Sequence, residues 1–422
     1  MRVLYDISML GLGHLYSLSR GGSHRADRHL VEGMMASGEV ELFLCANHSS
    51  AAYQGCLAYL ATNPPPPGAT FLGPPPAGAS SAFRRGAAGA HRWARRLLGS
   101  NVFPGILRRG AKLVDRRIHP PVCDASPPAD VFHSPGVPLP PRPRSRRSPR
   151  RFITLYDLAC IRFPEIYGPG YRRTLRAVVE SLRDGDCVLT GSEFSRAELC
   201  EHGVAAPERI FAAPLGADPG TFHPCGDAER LRAVRERYGI PDGPYLLSVN
   251  TPDPRKNVRH AVRAFARAAR EEGVRDHTLV LVGHADPGAQ AEPAEAADGL
   301  RGRVVRTGYV DDEELAPLYS GATAFVHPSL YEGFGLTPLE AMQCGTPVVA
   351  SNTSSFPEVV GDAGILLDPA DGDAFSQAIL DLCRDAGLRA RMREQSLARA
   401  ACFSWERCTR AVLDAYRAAL AM

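Results

Sequence analysis

The sequence predicts an α/β protein built from two doubly wound parallel-sheet domains that face a cleft. Three observations carry this expectation. Short apolar strands alternate with helical stretches through both halves, as in parallel sheets covered on both faces. The alternation breaks at the Pro- and Gly-rich stretch 213–227 and then restarts. The chain has 422 residues, enough for two or three domains with sizeable cores. The expected division is 1–217 and 218–404, with a last helix over about 405–422 packing back on the first domain.

Each element has a local reason. Residues 3–8 read as a first buried strand and not as a signal peptide, because Arg2 is the single basic residue there and Asp6 interrupts the apolar run. Gly21-Gly22 opens a helix to about Met35, and 40–45 reads as a second strand. Prolines 64–67 and 74–76 exclude a helix or central strand and predict a loop. Basic amphipathic segments follow at about 83–98 and 102–117. Strands are expected at 131–133 and 152–156, a helix near 171–183, a strand at 187–190, and a helix from Ser192, whose hydroxyl suits an N-cap. After the linker, strands are expected at 245–249, 279–282, 304–307, 324–327, 347–350 and 365–367, with helices between them.

Composition narrows the class. Hydrophobic residues are 44% and charged residues 23%, which excludes disordered, collagen-like and disulfide-dense chains. No apolar run approaches the ~18 residues of a membrane span. Eleven cysteines without a CxxC pair suggest neither a zinc ribbon nor a redox pair, but thiols of a reducing cytoplasm. The net charge is +3, yet 84–151 holds sixteen Arg and Lys against Asp115, Asp124 and Asp130, a local +13. That stretch reads either as solvated surface or as a face for anionic lipid headgroups or a pyrophosphate-bearing acceptor. Nucleic acid is not an expected partner, for no zinc-finger, RNP or helix-turn-helix pattern is present.

The most informative segment is HPSLYEGFGLTPLEAMQCGTPVVAS, 327–351. A strand ends at His327. A loop with Glu332, Gly333 and Gly335 leads into a helix, and Gly345-Thr346-Pro347 stops that helix. Glycines let backbone approach a ligand, and the N–H groups of a helix start can hold phosphate oxygens. Glu340 lies one turn into the helix, where a carboxylate can accept both hydroxyls of a ribose. A lone Glu pair would usually be solvent-facing charge; this glycine-rich frame favours function. Arg255 and Lys256 follow a Pro-Asp-Pro directly after a strand, at the ligand edge of a doubly wound sheet. Read alone they suit the exposed start of an amphipathic helix; their place directly after the strand favours function. Asp184-Gly185-Asp186 and Asp371-Gly372-Asp373 are read as turns and caps, not as metal sites. Histidines 14, 24 and 29 lack zinc-ligand spacing.

The segment resembles the retaining glycosyltransferases of family 4, whose hallmark is Glu, seven residues, Glu: here Glu332 and Glu340. SVNTPDPRKNV, GYVDDEELAPLYSGA and FPEVVGDAGILLDP are similar to donor-domain segments of that family. DVFHSP, FITLYDL and LTGSEFSRAEL are similar to segments of its N-terminal half. The nearest subgroup is the mannosyltransferase-like enzymes of surface-polysaccharide assembly. The resemblance implies the GT-B fold, with an N-terminal Rossmann-like acceptor domain and a C-terminal nucleotide-sugar donor domain. It implies that Glu340 binds the donor ribose and Glu332 the transferred sugar, with Gly333 and Phe334 among the donor-binding residues. Backbone at Gly335, Leu336 and Thr337 would meet the diphosphate, with Lys256 and Arg255 neutralising it. His133 would sit near the reacting carbon, although a histidine at a strand end is as often a hydrogen-bonded structural residue; Gly21 and Gly22 would face the donor phosphates or the acceptor from the opposite domain, and Tyr309 to Asp311, Val310 included, would lie by the base. Tyr156 and Asp157 are the candidate acceptor contacts. Two positions depart from the family: Val249-Asn250 stand where many relatives have Gly-Arg, and Tyr156 stands where many have His.

The implied activity is metal-independent, retaining transfer of a hexose from a nucleotide sugar, GDP-mannose favoured, to a glycan or lipid-linked acceptor. No cofactor is expected beyond the donor. The expected place is the cytoplasm, at the inner membrane face through the basic region. The alternatives are a nucleotide-sugar epimerase or phosphorylase of the same fold, and a non-catalytic membrane or polyanion adaptor.

Overall fold

The computed structural model describes residues 1–15, 22–47, 50–64, 68–72, 128–141, 148–167, 169–250, 253–283, 300 and 302–422. Two all-parallel sheets organise them. The first contains β1 (Arg2–Asp6), β2 (Glu41–Cys45), β3 (Thr70–Phe71), β4 (Val131–Pro135), β5 (Arg150–Thr154), β6 (Cys187–Thr190) and β7 (Ile210–Ala212). Their spatial order is β3-β2-β1-β4-β5-β6-β7. The second contains β8 (Tyr245–Val249), β9 (Thr278–Val282), β10 (Val304–Gly308), β11 (Ala324–His327), β12 (Val348–Ser351) and β13 (Ile365–Leu367), ordered β10-β9-β8-β11-β12-β13.

These strands form because they are short runs of Val, Leu, Ile and Phe with helices on both faces. β9 and β11 are buried at every position. Register is tight around the centre: Tyr5 lies opposite His133, and His133 opposite Phe152. In each sheet the winding direction reverses once, between β1 and β4 and between β8 and β11. A crevice opens beyond the carboxyl ends of the strands at such a point. The segments after β8 and β11 carry Arg255, Lys256 and Glu332.

One apolar cluster joins the two halves. It runs from Tyr5 and Phe152 through Val412 and Tyr416 to Leu247, Phe325 and Leu339. Separate clusters fill the outer faces of the second and first sheets. The bridge is the last helix, Trp405–Ala421, capped by Ser404 and burying Cys408, Val412, Leu413, Ala415, Tyr416 and Ala419. Those positions recur at helical spacing, so one face is apolar. It lies on the helix Gly22–Ala36: Trp405 stacks on His29 with ring centroids 4.6 Å apart. Gly33 permits the approach, since a Cβ there would stand 2.2 Å from the Thr409 hydroxyl.

Several expectations need correction. The strand expected at 3–8 ends at Asp6, because Ser8 opens the helix Ser8–Leu15 and its N–H bonds the Asp6 carboxylate at 2.9 Å. β3 and β7 were not foreseen; two and three residues are too few to show a period. The basic segments at 83–98 and 102–117 lie outside the described residues, as do 142–147. Arg151, counted in the basic face, is no part of a solvated surface. It is buried on β5 and forks onto the buried Asp186 carboxylate, with one bond of 2.9 Å.

Candidate active site

The chemistry-bearing residues gather where β8 and β11 end. After β8, Asp253 caps a single 3-10 turn, Pro254–Lys256, by accepting the Arg255 N–H at 2.9 Å. That turn aims Arg255 and Lys256 at the loop after β11. Lys256 Nζ lies 2.6 Å from Glu332 Oε1 and Arg255 3.4 Å from Oε2. Ser329 donates to Oε1 at 2.8 Å. His327, the last residue of β11, reaches the same oxygen at 3.3 Å. Burial holds the His327 ring neutral, so it serves Glu332 as an N–H donor. Burial alone would raise the Glu332 carboxyl, but the Lys256 ammonium and Arg255 guanidinium hold it well below the usual carboxylate range. Glu332 is a buried anion whose charge is met by two cations.

Gly335, with φ +104°, turns the chain from this loop into the helix Leu336–Gln343. A side chain there would be strained in the left-handed region and would crowd the Phe356 ring at 3.2 Å. The first-turn N–H groups of that helix have no acceptor within it, and Pro338 has no N–H at all. One turn on, Glu340 is 3% exposed in its side chain and lies 2.7 Å from Arg25 of the opposite domain. Tyr319 donates to its other oxygen at 3.4 Å. Burial pushes the Glu340 carboxyl up, Arg25 pulls it back, and the balance lies at about 7.

The other domain grips this loop by its backbone. Ser192 and Ser195 both donate to the Gly333 carbonyl, at 2.6 and 3.0 Å. Ser192 also caps its own helix, Glu193–Glu201. Gly333 packs so close that a Cβ would meet the Tyr156 carbonyl at 2.5 Å and the Asp157 side chain at 2.9 Å. From the loop's own domain, Ser355 donates to the carbonyls of Glu332 and Phe334. Ser354 accepts the Glu332 N–H.

The predicted residues separate accordingly. Arg255, Lys256, Glu332, Gly333, Gly335, Leu336 and Glu340 come together on one rim. Gly22 faces them across the cleft, 2.8 Å from Leu336 as measured from a built Cβ; Gly21 lies outside the described residues. Asp157 stands beside the rim, and burial pushes its carboxyl up against the pull of Arg255. His133 is not in the cleft. It sits in the middle of the first sheet at 0% exposure, with Nδ1 2.5 Å from Tyr416 Oη and Nε2 2.7 Å from Thr154 Oγ1. A histidine on a strand covered on both faces has to be satisfied there, and burial takes its pKa down to about 3. The Tyr156 hydroxyl points inward to Asp27 at 3.2 Å, so its backbone is what reaches Gly333. The Phe334 ring packs on Phe403 in the core, leaving backbone alone to the site. Val310 is buried in the core, whereas Tyr309 is 56% exposed. Sequence reasoning passed over Arg25, Asp253, His327, Ser329 and Tyr331. His327, Ser329 and Tyr331 stood inside the quoted motif; Arg25 carried no signal beyond its place three residues after Gly22. Among the described residues, no three His, Cys, Asp or Glu gather as a metal site. Among them, too, no helix is long and apolar enough to cross a membrane.

Known proteins resemble this chain in sequence and in fold. The profile of the glycosyl transferases group 1 family matches residues 243–385, which hold the whole Arg255–Glu340 rim. The chain is 37% identical over 289 residues to the O-antigen chain mannosyltransferase B of Escherichia coli, covering 68% of this chain and 74% of that protein. It is 28% identical over 254 residues to the serotype-specific mannosyltransferase WbdA of Escherichia coli, covering 59% of this chain but spanning only 31% of that longer protein. In fold it is similar to the sucrose-phosphate synthase of Thermosynechococcus elongatus, with a TM-score of 0.63 at 21% identity over 99% of this chain and 98% of the other. Two parallel-sheet domains with this rim between them, and a relative of such identity and coverage, place the chain in the group 1 glycosyltransferases, the family-4 type with the GT-B fold.

Proposed function

We propose that the chain transfers mannose from GDP-mannose to a hydroxyl of a growing surface glycan or lipid-linked acceptor, with retention of anomeric configuration. The observation that carries this is the Lys256–Glu332–Arg255 cluster beside the start of the helix Leu336–Gln343, with Glu340 one turn further. A departing diphosphate needs positive charge in a dry site. Lys256, Arg255 and the helix N-terminus supply it. Glu340 takes the ribose hydroxyls, and Glu332, held ionised, takes hydroxyls of the transferred sugar. Asp157, on the facing domain, marks the acceptor side. No residue of the chain is assigned as a base, since a donor phosphate oxygen can take the acceptor proton. The choice of mannose and of a surface glycan leans on the names of the two mannosyltransferase relatives.

The test is thermal unfolding with GDP, UDP, dTDP and ADP and their common sugars, with Glu340→Ala as control. Ligand at about 100 times its dissociation constant adds roughly 2.7 kcal/mol of stability. The expected result is a shift with GDP and GDP-mannose that the variant loses, and transfer that persists in EDTA. A shift with a different nucleotide replaces the donor; no shift with any of them removes the reading.

A further inference from the structure

Arg25 stands one turn into the helix Gly22–Ala36, on the domain opposite the donor rim. Its guanidinium bridges two carboxylates of that rim, Glu340 at 2.7 Å and Asp312 at 3.3 Å. These are cross-domain contacts, and the arginine side chain is only 20% exposed. The three residues border a cavity of about 20 Å³ that also touches Phe222, Asp218 and Leu336. That volume holds a water molecule and no ribose. A ribose therefore reaches Glu340 only if Arg25 leaves it. Leu336 marks the direction available, toward the first turn of the helix Leu336–Gln343, where N–H groups suit phosphate.

We propose that Arg25 is a donor-binding residue supplied by the acceptor domain. In the ligand-free chain Glu340 and Asp312 hold it. When a nucleoside diphosphate binds, the ribose hydroxyls take over Glu340, and the guanidinium turns to the diphosphate next to it. A guanidinium suits both states, since its planar fork pairs with carboxylate and with phosphate alike. The exchange ties donor binding to the relative position of the domains, because cation and carboxylate belong to different ones. This inference rests on Glu340 being the ribose site.

The experiment compares GDP with guanosine by calorimetry or by competition, in wild type, Arg25→Gln, Arg25→Lys and Glu340→Gln; uridine and UDP serve instead if uridine nucleotides prove to be the ones bound. Arg25→Gln is expected to weaken the diphosphate at least tenfold while leaving the nucleoside unchanged or tighter, for Glu340 is then unoccupied. Arg25→Lys, which keeps the charge but not the fork, is expected to weaken the diphosphate less than Arg25→Gln does. Glu340→Gln is expected to weaken both ligands. A purely structural Arg25 would weaken nucleoside and diphosphate together, and that outcome overturns the proposal, as does an unchanged diphosphate affinity in Arg25→Gln. If Glu340→Gln leaves both ligands unaffected, the ribose assignment fails instead, and Arg25 falls with it. Melting temperatures of the free variants identify any that do not fold, and Arg25→Lys then carries the comparison by its ratio of diphosphate to nucleoside affinity.

Discussion

Glu332 and Glu340 lie on one loop-and-helix unit, yet their surroundings push them in opposite directions. Glu332 faces Lys256 and Arg255 and stays ionised; Glu340 lies deeper, with Arg25 as its cation, and is raised to about 7. The same rule, burial against nearby charge, applies to Asp27 under the cleft. It accepts from Tyr156, yet burial takes its carboxyl up to about 8. The sign of the stability effect follows. Between the ordinary value of 3.8 and about 8, the folded state keeps a proton on Asp27 that the unfolded chain has lost. Stability therefore falls as pH rises through that window. Asp27→Asn keeps an acceptor for Tyr156 and has no charge to bury. Its stability relative to wild type should grow with pH, by roughly 1–3 kcal/mol between pH 5 and pH 8, well inside the limit of about 1.4 kcal/mol per unit. Denaturant unfolding of both proteins at the two pH values checks this, and a constant gap contradicts it. Glu340 tilts both proteins the same way and cancels in the difference, whereas the charge of Asp6, itself raised to about 6, is one of the causes that lift Asp27 and belongs to the measured effect.

At the scale of elements, the last helix matters as much as the sheets. Tyr416 on Trp405–Ala421 reaches His133 in the centre of the first sheet, and Phe152 lies against both rings. Tyr416→Phe keeps the ring and leaves His133 Nδ1 buried without its partner. The expected loss is about 1–3 kcal/mol of stability, read by urea unfolding, with donor affinity unchanged because neither residue borders the cleft. A weakened donor affinity at unchanged stability would return His133 to the site. This pair also shows why part of the molecule was legible in sequence and part was not. The helix Leu336–Gln343 was legible because Gly335 and Gly345 bracket it. Ser192 was readable as a cap, since capping depends on three adjacent residues. The second hydrogen bond of Ser192, to Gly333, spans 141 residues and leaves no local trace. His133 and Arg25 escape a sequence reading for the same reason. A strand-end histidine and a helical arginine look alike whether they face core, solvent or cleft, and only the partner domain decides.

At the scale of the whole molecule, two kinds of contact join the domains. Near the last helix the junction is apolar and tight: a Cβ on Gly216 would meet the backbone of Ser404 and Trp405 at 2.4–2.8 Å. Along the cleft it is polar. Arg25 holds Glu340, Tyr331 donates to Glu198, Tyr167 to Asp253, and Ser192 and Ser195 to Gly333. Glu358 of the second domain caps the first-domain helix Glu193–Glu201, taking the N–H groups of Glu193 and Phe194 at 3.0 and 3.2 Å. Water can replace each polar contact when it parts, whereas parting the apolar junction would expose core. Opening should therefore hinge near Gly216 and Trp405 and spread along the cleft, which would expose Glu340 to the proposed donor. Glu358→Ala removes one rung of the polar seam without touching Lys256, Glu332 or Glu340. The variant should be more open without ligand, with a larger radius of gyration by small-angle scattering, and should compact again when GDP is added. Its KM for donor should rise more than its kcat falls, because closure then draws on part of the binding energy. Scattering curves that coincide with wild type in both states would mean that the seam does not govern opening, and that the apolar junction alone fixes the angle between the domains.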